Sequence, residues 1–284
     1  MPLATHIIRF IAEDGNIYLG QPEDIRRDIG VDIFNGREVK AYLITGSIFD
    51  PELSDILHTV QYLLAPVSAT DCNYIRCMGL NYRDHSAEVH KPPPSAPILF
   101  TKPGTAITDP FPAAIPIPRI SQDGTADYEG ELCVVIGKCG RDIREDEAMD
   151  HVLGFTASND VSARRLQNLS SQWCFSKGLD GSCPLGPVLV TRDAISDPQD
   201  IRIRTLYNGD IVQDDSTSNM IFSIRRQIAY LSQGTTLEKG SIILTGTPAG
   251  IGSVRQPKIV LRDGDDIRVS IEGIGTLINR VRYE

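Results

Sequence analysis

From about residue 72 onward, short apolar runs alternate with breakers. Ile98–Phe100, Leu132–Ile136, Val188–Val190, Ile201–Leu206, Ile242–Leu244, Ile259–Leu261 and Ile267–Ile271 are separated by Gly, Pro, Asn and Asp. Runs of this length and composition read as strands. Few helical stretches lie between them, so the pattern predicts a β-rich α+β fold instead of alternating βαβ units. Helices are expected at Arg164–Leu169 and Ile224–Leu231. The first part of the chain has a different texture. Strands are expected around Ile7–Ile11 and Ile17–Leu19, with Asp14-Gly15-Asn16 as the hairpin turn between them. Mixed polar segments follow, then a helical stretch near Leu53–Leu64. No catalytic residue types gather there. The organisation expected is a small N-terminal accessory domain over residues 1–70 and a catalytic domain over 71–284.

Composition narrows the function. The chain has 284 residues, enough for a sizeable core. Its 37 acidic against 28 basic residues give a net charge of −9, and no dense Lys/Arg block occurs, which argues against a nucleic-acid partner. Six cysteines are scattered without a Cys-x-x-Cys pair, so reduced, mostly buried thiols are expected, with neither a disulfide framework nor a zinc site. No run approaches the roughly 18 apolar residues of a membrane span. The N-terminus, from Met1 to His6, has no basic flank and leads into acidic residues. The expectation is a soluble, cytoplasmic protein, with a mitochondrial address less favoured.

The candidate chemistry centres on Asp127-Tyr128-Glu129-Gly130-Glu131-Leu132-Cys133-Val134-Val135-Ile136-Gly137. Glu129 and Glu131 are two apart at the head of an apolar run, and in a strand they would face the same side. Like charges held that close repel unless a cation neutralises them, so a metal site is the first hypothesis and a solvated strand face the alternative. A third carboxylate, Asp160, precedes Arg164 and Gln167. If a helix begins near Asp160, the three share one stripe, fit for a metal and an anionic substrate or for a plain surface ion pair.

His85 and Glu88 are three apart. One helical turn would set imidazole and carboxylate side by side, as general-base activation of water requires, although an ordinary helix surface has the same spacing. Lys177 stands among small residues, where it could neutralise a carboxylate or enolate. The segment Thr245-Gly246-Thr247-Pro248-Ala249-Gly250 follows a strand and offers backbone N–H groups to an anion, without the lysine or glycine spacing of a nucleotide loop.

Taken in order, GLNYRDHSAE, FTKP, DYEGELCVVIG, NDVSARRLQ, QWCFSKGLDGSCPLGP, LYNGD, TSNMIFS, LTGTPAGIG and IEGIGTL resemble the fumarylacetoacetate hydrolase family over roughly residues 72–284. The resemblance is to its shorter members, of acylpyruvate hydrolase or oxaloacetate decarboxylase type. It implies a mixed β-roll or β-sandwich catalytic domain and a homodimer. It implies Glu129, Glu131 and Asp160 as ligands of Mg²⁺, with Mn²⁺ or Ca²⁺ as alternatives, and His85 with Glu88 as the proton-transfer pair on a short lid helix. Lys177 joins that pair as a catalytic residue, and Arg164, Gln167 and Thr247 line the substrate pocket.

Three carboxylates without His or Cys form a hard-oxygen site, suited to such ions. The implied reaction runs through a stabilised enolate of a small 2-oxo or 1,3-diketo acid. Three fates follow from it: hydrolysis of a carbon–carbon bond, decarboxylation of oxaloacetate, or keto–enol tautomerisation. A non-catalytic binder of metal or dicarboxylate is the alternative of another class. Two departures bear on substrate preference. Arg165 stands where many short members carry Asp, and Ser86 replaces a common Ala.

Overall fold

The run Leu132-Cys133-Val134-Val135-Ile136 is apolar on both faces, and a strand of that kind must be covered on both sides. In the computed structural model, which describes residues 4–284, it forms the strand Gly130–Ile136, buried along its whole length. Leu132, Val134 and Ile136 point into the larger core, and Cys133 and Val135 into a second core on the other face. Met1, Pro2 and Leu3, which begin the N-terminal segment read above, lie outside the described residues.

The strand belongs to an eleven-stranded mixed sheet. Its early members are β1 (His6–Ala12), β2 (Ile17–Pro22), β3 (Lys40–Ser47), β4 (Asp50–Leu64), β5 (Ile75–Gly79) and β6 (Ile98–Lys102). Ten of its strands follow the order β2-β3-β4-β1, then Cys183–Thr191, Val152–Asn159, Gly130–Ile136, Ile242–Leu244, β5 and β6, and the eleventh, Ile107–Thr108, pairs parallel with Cys183–Thr191 off this path. The N-terminal strands thus continue the sheet: β1 pairs with Cys183–Thr191 through His6↔Val190 and Ile7↔Leu189. A five-stranded sheet, from Asp210–Ser216 through Arg202–Tyr207, Asp266–Ile271 and Gly275–Tyr283 to Ala114–Ile117, supplies Ile203, Val269, Ile271 and Leu277 to the larger core. The result is the expected β-rich α+β architecture, with helices few and short.

Several local expectations are met. β1 and β2 form an antiparallel hairpin, with Gly15 at φ 81° and the Asn16 N–H donating to Asp14 Oδ1 at 2.9 Å. The helix Ile224–Leu231 is capped by the Ser223 hydroxyl, and Ile224, Ile228 and Leu231 enter the core. The helix expected near Leu53–Leu64 is instead the strand β4. Leu53, Ile56, Leu57, Val60, Leu63 and Leu64 recur at helical intervals, but β4 is hydrogen-bonded on both edges, to β3 and to β1. That pairing overrides the local spacing and leaves Ile56 and Leu57 exposed. All six cysteines are free, four buried and Cys139 and Cys174 exposed. Among the described residues no helix is long and apolar enough to cross a membrane.

Candidate active site

Glu129 precedes the strand Gly130–Ile136 directly, and Glu131 lies within it, on the face shared with Cys133 and Val135. Two hydrogen bonds tie this strand end to the neighbouring one. Glu129 N–H donates to Asn159 Oδ1 at 3.0 Å, and Asp160 N–H donates to the Glu129 carbonyl at 2.8 Å. Asp160 is thereby set beside the pair, and one oxygen from each of the three carboxylates falls within 4.8 Å of the others. Glu129, Glu131 and Asp160 are 6 %, 1 % and 0 % exposed, which rules out a solvated strand face. An enclosed, all-oxygen set at this spacing fits a hard divalent cation.

The helix expected to begin near Asp160 does not form there. The strand Val152–Asn159 ends, a two-residue strand Ser162–Ala163 intervenes, and only Arg164–Gln167 makes a single helical turn. Asp160 is held in place by the sheet, and Arg164 does not form an i,i+4 pair with it. The guanidinium reaches back instead, Nε to Asp127 Oδ2 at 2.8 Å and Nη1 to Glu129 Oε1 at 2.6 Å. Gln167 Oε1 accepts from the same Nη1 at 3.1 Å.

Lys177 lies between two members of the triad, its Nζ at 2.7 Å from both Glu129 Oε2 and Asp160 Oδ2. Burial pushes the Glu129 carboxyl up, but Lys177 and Arg164 outweigh it and hold the group well below its ordinary range. Burial likewise opposes the charge on Lys177, and Asp160 with Glu129 reverses that and raises it. Glu131 behaves differently. Burial and repulsion from Asp160 and Glu129 push its carboxyl well above the usual range, despite the Gly246 N–H donated to Oε2 at 2.7 Å. Gly246 sits at φ +100°, and a Cβ there would stand 2.7 Å from Asn81 Cβ, so only glycine brings that amide to Glu131.

A residue that sequence reasoning missed is Lys102, at the end of β6. Its Nζ, wholly enclosed, meets Asp160 Oδ1 at 2.7 Å, the Ser182 carbonyl at 2.9 Å and Ser182 Oγ at 3.1 Å. The signal was present in FTKP, one of the quoted motifs, but a lysine closing an apolar strand carries no local mark of burial.

His85 and Glu88 lie on α2 (Arg83–Glu88), preceded in the chain by the short helix α1 (Ile29–Phe34). His85 Nδ1 is 3.2 Å from Glu88 Oε2, and Glu88 Oε1 accepts the Gly250 N–H at 2.8 Å. With Nδ1 facing the carboxylate, Nε2 is the ring's working nitrogen. His85, Glu129, Arg164, Gln167, Lys177 and Thr247 all line one cavity of about 940 Å³. The Thr247 hydroxyl is already engaged, donating to the Gly130 carbonyl at 2.9 Å and accepting from Gln213 Nε2 at 2.7 Å.

Fold and site together define a class: an enzyme built mainly on two β-sheets, with an enclosed set of three carboxylates able to hold a cation and an imidazole–carboxylate pair on a short helix. A family profile described as "Fumarylacetoacetate (FAA) hydrolase C-terminal" matches residues 74–282, and the chain belongs to that family. It is 41 % identical over 289 residues to a caffeoylpyruvate hydrolase of Neonothopanus nambi, covering 99 % of this chain and 94 % of the relative. It is 45 % identical over 221 residues to a mitochondrial oxaloacetate tautomerase of Xenopus laevis, covering 77 % of this chain and 68 % of the relative. Among solved structures, a fumarylacetoacetate hydrolase from Exiguobacterium antarcticum superposes with a TM-score of 0.81 at 35 % identity, covering 99 % of this chain and all of that one.

Proposed function

We propose that this protein hydrolyses the carbon–carbon bond of an acylpyruvate, with a divalent cation held by Glu129, Glu131 and Asp160. The hard-oxygen set favours Mg²⁺, with Mn²⁺ and Ca²⁺ as alternatives. A bound cation supplies Lewis-acid stabilisation of the negative charge that develops on substrate oxygens. Lys177 and Arg164 neutralise the anionic 2-oxo acid end, and Gln167 orients Arg164. Glu88 fixes His85, whose Nε2 takes a proton from the water that attacks the acyl carbonyl. The hydroxyl so formed stays with the acyl group as a carboxylic acid, and the imidazolium returns its proton to the departing pyruvate carbon. A homodimer remains the proposed assembly.

One observation carries this reading: a dyad already oriented, with its His85 lining a cavity of about 940 Å³. Such a volume suits ligands well beyond a four-carbon dicarboxylate. Leu80, Val89, Trp173, Ile251, Val254 and Ile259 give the space an apolar wall for an acyl arm, in keeping with the caffeoylpyruvate hydrolase relative. A second reading, tautomerisation of oxaloacetate by the same groups without water attack, is favoured by the tautomerase relative.

Mass spectrometry of products formed in heavy-oxygen water tests the choice. Hydrolysis puts one labelled oxygen into the released carboxylic acid. Oxaloacetate that only equilibrates between its keto and enol forms, with no acylpyruvate cleaved, would establish the second reading, and pyruvate formed from oxaloacetate would mark decarboxylation.

A further inference from the structure

Asp127 is 1 % exposed, and the chemistry described so far gives it no task. Its carboxylate is nevertheless fully occupied. Oδ1 accepts N–H groups from Tyr128 at 2.9 Å and Gly252 at 2.8 Å. Oδ2 accepts the Ser253 N–H at 3.0 Å and Arg164 Nε at 2.8 Å. Gly252 is required for this approach, since a Cβ there would stand 2.6 Å from Asp127 Oδ1 and 2.2 Å from the Ile259 carbonyl. Three backbone amides therefore pin the carboxylate, and the pinned carboxylate grips one edge of the guanidinium.

We infer that Asp127 is the positioning residue that aims Arg164 at the substrate's anionic group. A guanidinium is planar, so fixing two of its nitrogens fixes where the third points. Nε is fixed by Asp127, and Nη1 by Glu129 and Gln167. Nη2 is buried without a protein partner, on a residue that lines the cavity. A buried donor left in that state is costly unless a ligand meets it, and a carboxylate oxygen is the acceptor that a guanidinium N–H bonds best. Without Asp127, Glu129 would be the sole carboxylate on the guanidinium, and nothing would fix the direction of Nη2. The inference rests on the reading that this cavity takes an anionic 2-oxo acid.

Oxalate, a planar mimic of the 2-oxo acid end, provides the test by calorimetry with the Mg²⁺-loaded full-length enzyme. In Asp127→Asn the amide nitrogen must face Arg164 Nε–H or a backbone N–H, so donor opposes donor. We expect oxalate affinity to fall about tenfold or more, the scale of one lost charge-assisted hydrogen bond. KM for the acylpyruvate rises in parallel, while kcat and the Mg²⁺ affinity measured without oxalate hold. The double variant Asp127→Asn/Arg164→Met binds oxalate no more weakly than Arg164→Met alone, because both act through one group.

Additive losses, or full oxalate affinity in Asp127→Asn where Arg164→Met has lost it, would overturn the inference. Should Asp127→Asn fail to fold, Asp127→Glu retains the charge but displaces the guanidinium by a methylene. It is expected to bind oxalate at an intermediate strength, and wild-type affinity there would also overturn the positioning role. If Arg164→Met itself binds oxalate normally, Arg164 does not meet the anion and the inference is overturned, whereas a wild-type enzyme that binds no oxalate would be the failure of the anionic-substrate reading.

Discussion

Lys102 shows how much a single enclosed charge does for this site. Its ammonium is in contact with one oxygen of Asp160, and Lys177 is in contact with the other, so a proposed cation ligand is held from two sides by fixed positive groups. Lys102→Met removes that partner and leaves Asp160 half-paired in a dry interior. Breaking a buried ion pair in this way costs about 3–5 kcal/mol, and urea unfolding of the metal-free protein should register it. A loss under ~1 kcal/mol, typical of an exposed pair, would contradict the enclosed geometry. Glu131 makes a prediction of pH. Its carboxyl is raised by burial and by Asp160 and Glu129, so in the metal-free protein it keeps its proton at a pH where an ordinary glutamate has lost it. A cation needs the carboxylate, so binding must release that proton. Metal affinity therefore rises with pH until Glu131 ionises unaided, whereas Glu129, already held low, adds nothing to the slope. Calorimetry in two buffers of different ionisation heat counts the released proton, and a count of zero at a pH just above the ordinary glutamate range would refute the assignment.

At the scale of the element, α2 is six residues long, too short to persist by itself. Contacts from elsewhere hold it: Arg83 Nη1 donates to the Met220 carbonyl at 3.0 Å, and Gly250 N–H holds Glu88. Asn81 at its entrance donates to the Thr245 carbonyl at 2.7 Å. The His85/Glu88 spacing was legible in the sequence because i,i+3 neighbours meet on any helical turn. The loop amide beneath Glu88 was not, since it lies 162 positions away. His85→Ala is expected to slow hydrolysis by about 10²–10⁴-fold, the usual worth of a positioned general base, with Mg²⁺ affinity by calorimetry unchanged. Retained turnover would remove the dyad from the mechanism. β4 illustrates the opposite failure. Its helical spacing was legible and misleading, because two neighbouring strands offered hydrogen bonds that an isolated helix could not match.

Across the whole molecule, the site is a seam. Glu129, Glu131 and Asp160 come from two adjacent strands of the eleven-stranded sheet and their ends, Lys102 from its far edge at β6, and Lys177 from a single helical turn, Cys174–Lys177. A cation that binds such a seam only when it is assembled stabilises the folded state by mass action. At one hundred times the dissociation constant that is about 2.7 kcal/mol. For a chain of this size, Mg²⁺ at that concentration should raise the melting temperature by roughly 4–5 °C, and chelator should reverse the shift. An unchanged melting curve across a metal series would mean that the folded protein takes up no cation and would refute the triad as a metal site.

Sequence by itself determined many of the strands, though neither β4 nor the irregular segment Ile259–Leu261, together with the α+β class, the family and the residue types of the site, because short apolar runs, breakers and short motifs are local properties of a chain. It also brought Glu129 and Glu131 together, two apart at the head of one strand. Tertiary structure decided the rest. It showed that those carboxylates are enclosed instead of solvated and that Asp160 joins them across a strand pair instead of along a helix. Arg164 turned out to be bound to Asp127 and Glu129, and Lys102 to belong to the site. Each of these depends on contacts between positions 30 or more apart. Burial and long-range pairing are set by the packed sheets, and no local pattern records them.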